Sequence, residues 1–525
     1  MNWPDLLKPL LSPASREEFL ARVRVQVSPE DYERIGLLCQ LVATLGEDNL
    51  SKLQHWLFGH KTETTDRVCR PLDPAPGPIP IPAPKPPSKG HGRCSAQDYT
   101  GAHWIEVAHP SLSAGQRCPQ CQQGCLRLQR HQGVVLRICG SPPISATGWR
   151  LEKLRCDTCG ELFTAPAPPE AGPCKYDESV GVTVAVLRYG CGLPHYRLAR
   201  LQSSLGVPLP ASTQWELLMP LYQLALPIFQ ELLRQTAQSP IFYNDDTSMR
   251  ILNLRRSGSA AAAEIDPQRT GTFTTGIVGR VDHHQVALFM TGWRHAGENL
   301  AQVRAHRVAE LAPPIQMCDA LSRNTCGEFD SVLAHCLSHG RRQFVPLAQS
   351  FPEPVRFVLE QIREVYRAEA QARDQRLNAQ QRLLYHQTHS QPVMDTLHQW
   401  MSQQLEQKQV EPNSRLGGAM NYLLKHWEPL TLFLRQEGAP LDNNLCERAL
   451  KMAILHRKNS LSYKTVNGAQ TGDLFMSLIQ TCRLNQVNPY QYLLAIAQNP
   501  QSAKEQPQAW LPWNYPQTAV QVDSS

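Results

Sequence analysis

The chain has 525 residues, and at roughly 150 residues per domain that length calls for three or four domains rather than one core. Apolar residues make up 42% and charged residues 19%, close to globular averages, which excludes wholesale disorder. Lys and Arg number 52 against 46 Asp and Glu, and the net charge of +6 permits a polyanionic partner without demanding one.

No apolar stretch reaches the about 18 residues a membrane span requires. The best candidate, LLMPLYQLALPIF at 217–229, is short and interrupted by Pro220 and Pro227. The opening MNWPDLLKPLLSPASREEF carries Asp5 and no basic region ahead of an apolar one, so it does not read as a secretory signal, and a cytoplasmic address is expected. Four of the 16 cysteines fall in two Cys-x2-Cys pairs, which in a reducing compartment points to metal rather than to disulfides.

Residues 1–70 are dense in Leu and charge, and Leu38, Leu41, Leu45, Leu53 and Leu57 recur at near-helical intervals. Next comes PLDPAPGPIPIPAPKPP at 71–87, nine prolines in 17 residues, which fits an extended polyproline II spacer. A passive linker over 71–93 explains it without an SH3-type partner.

Residues 94–174 carry eight cysteines in short β-like runs, with too little apolar material for a core unless a metal staples it. Cys118, Cys121, Cys156 and Cys159 would hold one tetrahedral zinc in a ribbon whose hairpins fill the 34 residues between the pairs. Cys125 and Cys139 are possible substitutes, and free buried thiols are the bland alternative.

Residues 175–240 read as helical. A helix at 194–205, a turn, and a second helix capped by Ser212 resemble a helix-turn-helix, although two helices packed through a tight turn occur widely without reading DNA. From 241 the period changes to strands: IFYND, TFTTGIVGRV, HQVALFMTGW and PIQMCD, the middle pair joined as a hairpin at 282–284. A helical insertion is expected over about 345–436, before the helix of LDNNLCERALKMAILHRKN. Residues 466–525 add C-terminal helical elements.

Three acids are placed for chemistry. Asp245 closes one strand, Asp319 closes another and Glu447 starts the downstream helix, so the three would meet at one end of a sheet. Two Mg2+ (or Mn2+) ions need such oxygen ligands for phosphodiester chemistry. Singly each acid has a bland explanation: Asp245 and Asp246 as turn acids, Asp319 as a cap, Glu447 as part of a capping box begun by Asn444.

The helix itself argues further. Lys451 lies about 40° and Lys458 about 20° from Glu447 around the axis. Arg448, His456, Arg457 and Lys464 thicken a positive belt suited to backbone phosphates. A local Glu447–Lys451 pair would contribute only about 0.3–0.5 kcal/mol and explains none of the other bases. A second basic cluster, His339, Arg341 and Arg342 in HCLSHGRRQF, follows the second acid.

Together these segments resemble the transposases of the bacterial insertion-sequence-66 family. The likeness runs through LQHWLFGHKTE, GHGR, the Cys-x2-Cys pairs, YGCGLPHYRLARLQSSLGVPLPAST, YNDDTSMRIL, MCDALSRN, HCLSHGRRQF and LDNNLCERALKMAILHRKNSLSYKT. It implies an α+β multidomain protein whose catalytic domain, 241–465, is RNase H-like with a DDE triad at Asp245, Asp319 and Glu447. Many relatives carry D-E-T and D-G-Y where this chain has Asp245-Asp246-Thr247 and Asp319-Ala320-Leu321. The activity implied is DNA cleavage at transposon ends and strand transfer. Double-stranded DNA, further copies of the chain bound to it and small accessory proteins from the same element would be partners. A catalytically dead DNA-binding regulator and a stand-alone nuclease of the same fold are the rival readings.

Overall fold

The computed structural model describes residues 162–255, 271–325, 327 and 329–518, with shorter pieces at 13–24, 27–28, 31–33, 35–37, 39, 64–68, 111–117, 119–127 and 143–155. The leucine series at 38–57, the proline segment, GHGR and Cys118, Cys139, Cys156 and Cys159 lie outside the described residues. The chain divides into two compact units, one formed by Met1–Leu72 with Ile144–Ser525 and one by Asp73–Pro143.

In the smaller unit, Arg117 and Cys125 form an antiparallel bridge around a tight loop that exposes Cys121, with Gln122 at a left-handed φ of 55°. In the larger unit the first helix is α1 (Pro13–Arg24), and a short antiparallel pair, β1 (Lys153–Arg155) and β2 (Leu162–Thr164), follows. Helices α2 (Glu178–Ala185), α3 (His195–Ser204) and α4 (Ala211–Thr236) come next.

The expected break of the apolar 217–229 stretch does not occur, because α4 runs through both prolines. Seven residues apart, Pro220 and Pro227 share one side of the helix, away from the row of Leu218, Leu221, Ala225, Ile228 and Leu232 that is buried. Packing of that row offsets the hydrogen bonds the prolines remove. Ser212 does not cap this helix either: the N-cap position is Pro210 and no side chain caps it. Among the described residues no helix is long and apolar enough to cross a membrane.

The central sheet comprises β3 (Ile241–Ser248), β4 (Phe273–Val281), β5 (His284–Gly292), β6 (Ile315–Cys318) and β7 (Val332–His335), in the order β5-β4-β3-β6-β7. The first three strands form an antiparallel meander, whereas β6 and β7 run parallel to β3. The β4–β5 turn falls where the sequence puts it, with Asp282 at a φ of 51° that an aspartate tolerates.

Helix α5 (Ala296–Arg304) connects β5 to β6, and α6 (Leu337–Phe344) follows β7. Helices α7 (Pro352–Asp374), α8 (Ala379–His389), α9 (Gln391–Glu406) and α10 (Arg415–Lys425) follow, and α7, α9 and α10 build a hydrophobic core against Ile315, Met317 and Ala334 of β6 and β7. The chain returns to the sheet in α11 (Asn444–Ser460), α12 (Val466–Leu484) and α13 (Pro489–Gln498), which share a core with α2, α4, β4 and β5.

The edge strand β5 is covered by a polar ladder. Asn485 Oδ1, Thr481 Oγ1, Ser477 Oγ and Asp473 Oδ2 accept the outward N–H groups of Gln285, Ala287, Phe289 and Thr291 at 3.2, 3.1, 2.9 and 2.7 Å. Four residues of helix rise about 6 Å and two residues of strand about 6.7 Å, so every fourth residue of α12 meets every second residue of β5. This satisfies donors that would otherwise template pairing with another chain.

Candidate functional site

Asp245 and Asp319 occupy equivalent places on neighbouring strands. Tyr243 of β3 is in register with Met317 of β6, and each acid lies two residues further on, hence on the same face. Parallel neighbours are about 4.8 Å apart, so the carboxylates sit side by side where β6 ends; Asp245 does not close its strand as expected, because β3 stays paired with β4 through Ser248.

One amide joins them. Asn324 Nδ2 donates to Asp319 Oδ1 at 2.7 Å and lies 3.5 Å from Asp245 Oδ1. Asn324 belongs to the single 3-10 turn Ser322–Asn324, which is held by buried amides: Asn244 Nδ2 and Gln316 Nε2 donate to Asn324 O at 2.7 and 2.8 Å, and Gln316 also donates to Asn244 Oδ1 at 3.0 Å. Gly297 of α5 lets the turn approach, since a Cβ there would run into the carbonyls of Arg323 and Thr325.

Glu447 arrives from the other side of β3. Helix α11 docks where Asn443 Nδ2 donates to Asn244 O at 3.0 Å, and Cys446 Sγ donates to Gly276 O at 3.2 Å. Gly276 is the cross-strand partner of Asp245, and a Cβ there would strike Leu450 of α11. That glycine therefore permits the close approach of helix to strand.

No capping box forms. Asn444 is the first helical residue, and its N–H and side-chain amide are both taken by Asp442, at 3.1 and 2.6 Å. Among the described residues Glu447 does not pair with Lys451; it faces His339 instead, Nδ1 to Oε1 at 3.7 Å.

The electrostatics suit a divalent cation. Burial pushes Asp245 up to about 7, with Asp319, Asp246 and Glu447 adding to the rise against the opposing N–H of Asp246. Glu447 Oε1, Asn324 Oδ1 and Asn443 Oδ1 are buried acceptors without a hydrogen-bond partner among the described residues. A site with carboxylates in excess and acceptors unsatisfied is what hard divalent ions need.

Asp246, next to the first acid, points to the opposite face. Its carboxylate is only 3% exposed and meets His295 Nδ1 at 3.0 Å and Arg323 at 3.6 Å, so it grips the turn that carries Asn324. Cys336, His339 and Glu447 have ligand atoms within 4.8 Å of one another. Burial pushes the Cys336 thiol up to about 11.

The basic residues divide. Arg448, Lys451, Lys458 and Lys464 are exposed, as is Arg342 in α6, and Arg341 and His339 are half-buried. Arg457 turns inward, its Nη1 bonding Ser248 O, Ser248 Oγ and Thr247 Oγ1 at 2.8, 2.6 and 3.0 Å. His456 departs from the expectation of a charged belt. It is fully buried against Tyr189 and Tyr463, and burial lowers it to about 3, so it carries no charge there.

Asn324, Asn244, Gln316, Asn443, Cys336 and His295 were not read from the sequence. The available signal was an amide within a few residues of each acid, in YND, IQMCD, SRN and LDNN.

These features define a mixed α/β protein with a carboxylate cluster across adjacent parallel strands. The description "Transposase IS66 family" matches residues 174–471, and the chain belongs to that family. It is 26% identical over 385 residues to the uncharacterized protein y4jD of Sinorhizobium fredii (strain NBRC 101917 / NGR234), covering 69% of this chain and 70% of that protein. Two further uncharacterized proteins of that strain, y4hP and y4qI, are 31% and 30% identical over 30% and 38% of this chain, which spans only 31% and 37% of their lengths. No solved structure matches.

Proposed function

We propose that this chain is an active transposase whose sheet is an RNase H-like core and whose catalytic acids are Asp245, Asp319 and Glu447. The observation that carries the reading is Asn324 Nδ2, which reaches both aspartates while the buried Oε1 of Glu447 is left without a donor among the described residues. Two Mg2+ or Mn2+ ions held by the three acids would supply activation of water, then of the freed 3′-OH, and stabilisation of the leaving oxygen.

The chain's own groups do the rest. Asn324 fixes the rotamers of two like-charged carboxylates so that they point to one place, and the Asn244–Gln316 pair fixes Asn324. Arg448, Lys451 and Lys458 on the exposed side of α11, with Arg341 and Arg342 of α6, would hold the DNA backbone; Arg457, already spent on β3, would act by pinning the strand. Family membership supports DNA as substrate.

Oligomerisation on DNA, accessory proteins and a cytoplasmic location follow from the same reading. Zinc at Cys118, Cys121, Cys156 and Cys159, and the domain limits 1–70, 71–93, 94–174, 175–240, 241–465 and 466–525, rest on sequence spacing alone.

The test is a labelled duplex carrying the element's terminal repeat, incubated with the full chain in Mg2+ and in chelator. Cleaved and joined products only with Mg2+ are expected. Cleavage without joining would indicate the nuclease, and binding without either the regulator.

A further inference from the structure

Cys336 is the residue before the first turn of α6, His339 lies within that turn, and Glu447 lies in the first turn of α11. Their ligand atoms converge within 4.8 Å. His339 Nδ1 and Glu447 Oε1, 3.7 Å apart, are both buried and both lack a hydrogen-bond partner among the described residues. A buried polar atom left unpaired costs about 1–3 kcal/mol, so two such atoms facing one thiol call for a shared occupant.

We propose that Cys336, His339 and Glu447 form a binding site for a thiophilic divalent cation of the zinc type. The donor set decides the class. Mg2+ keeps oxygen ligands in an octahedral shell and does not select a thiolate, whereas sulfur, imidazole and carboxylate together are a zinc set. Ligands about 2.0–2.3 Å from a tetrahedral ion stand roughly 3.3–3.6 Å apart, so small side-chain rotations close this group onto one.

The sulfur is oriented for it, although burial holds it in the thiol form until a cation displaces the proton. Asn443 N–H donates to Cys336 Sγ at 3.2 Å, while the His339 N–H closes the turn onto Cys336 O at 3.1 Å. Backbone donors to a cysteine sulfur stabilise the thiolate form and orient it. On binding, the thiol proton leaves to solvent, His339 gives the Nδ1 lone pair, Glu447 gives a carboxylate oxygen, and a fourth position would be open to water or phosphate.

Glu447 is shared with the proposed catalytic site. If that reading holds, zinc at this site draws Glu447 away from the hard ions and inhibits Mg2+-dependent cleavage. The binding itself does not depend on that reading.

The experiment is a Co2+ titration of the full chain after removal of loosely held metal, followed by thiolate-to-cobalt charge transfer and by metal content per chain. The parent should take up one more equivalent than Cys336→Ser or His339→Ala, with the extra charge-transfer band missing in both. The Cys-x2-Cys pairs are common to all three proteins and cancel in the difference. Should Cys336→Ser fail to fold, His339→Ala alone decides, because it removes one ligand at a half-buried position. Equal uptake and identical spectra in parent and His339→Ala overturn the proposal. Asp245→Asn should retain the band, and a parent protein that takes up the extra cobalt yet cleaves no DNA in Mg2+ would break the catalytic reading while leaving this one standing.

Discussion

Two carboxylates packed against the same sheet have opposite surroundings. Burial pushes both Asp473, behind β5, and Asp245, on β3, up to about 7. Asp473 is matched: its oxygens accept the N–H and Oγ–H of Thr291 at 2.7 and 2.6 Å, and it forms one rung of the ladder that seals the edge. Asp245 has the N–H of Asp246 and a distant amide, while its other neighbours are acids. A buried acid with donors arranged around it serves the fold; one surrounded by further acids costs stability, which the proposed cation would offset.

The largest effect that would test this contrast is on chemistry. Asp319→Asn preserves the shape and can still accept from Asn324, but it removes a full charge from the proposed ion site. Loss of several kcal/mol of transition-state stabilisation means at least about three decades in cleavage and joining, with binding to a DNA end intact. Strand transfer surviving in that variant would show the mechanism to be wrong.

Both acids are raised to about 7, so both make stability depend on pH, and Asp245 is the one a variant can relieve without removing a rung of the ladder. Asp245 has a folded-state value near 7 against an ordinary 3.8, so between these limits the folded chain holds a proton that the unfolded chain has released. Stability therefore falls as pH rises from about 4 to about 7 and stays lowered above. In chelator Asp245→Asn should be more stable than the parent at pH 8, by a few kcal/mol at most, and nearly equal to it at pH 4. Adding Mg2+ should narrow the gap by stabilising the parent. Urea melts at the two pH values measure it, and a variant less stable than the parent at pH 8 would contradict the contrast.

On the matched side the sign reverses. Asp473→Ala or Ser477→Ala leaves a β5 N–H without an acceptor and should cost about 1–3 kcal/mol at neutral pH, with DNA-end binding unaffected in the folded fraction. Asp473→Asn keeps one acceptor oxygen and should cost less.

The sequence made one half of this contrast easier to see than the other. The runs around Phe242, Ile277 and Leu288 announce β3, β4 and β5, and the acids at 245, 319 and 447 stand out against them. Strand β7 was hidden because VLAH is only four residues long and was absorbed into the basic segment after it. Convergence of the acids depends on the Tyr243–Met317 register, a contact across more than seventy residues that no local pattern encodes. Asn324 and Gln316 were invisible for another reason: a lone amide beside an acid usually means a turn, and only its burial shows that it holds carboxylates in place. The α12 ladder was written openly as Asp473, Ser477, Thr481 and Asn485, yet polar residues at every fourth position first suggest a solvated face.

The smallest effect separates two bases that the sequence put in one belt. Lys458 is exposed on α11, whereas the neighbouring Arg457 is bonded to Thr247 and Ser248 at the end of β3. If Lys458 contacts one phosphate, Lys458→Ala should lower the slope of log K against log salt by about 0.9 and weaken binding alike for all sequences, with the melting curve unchanged. Arg457→Ala should do the opposite, lowering stability and loosening the strand that carries Asp245 with little change in slope. A DNA-binding titration at four or five salt concentrations, run beside urea melts, tells them apart. An unchanged slope for Lys458→Ala would remove Lys458 from the DNA face, and an equal loss of slope for both would mean that Arg457 leaves β3 when DNA binds.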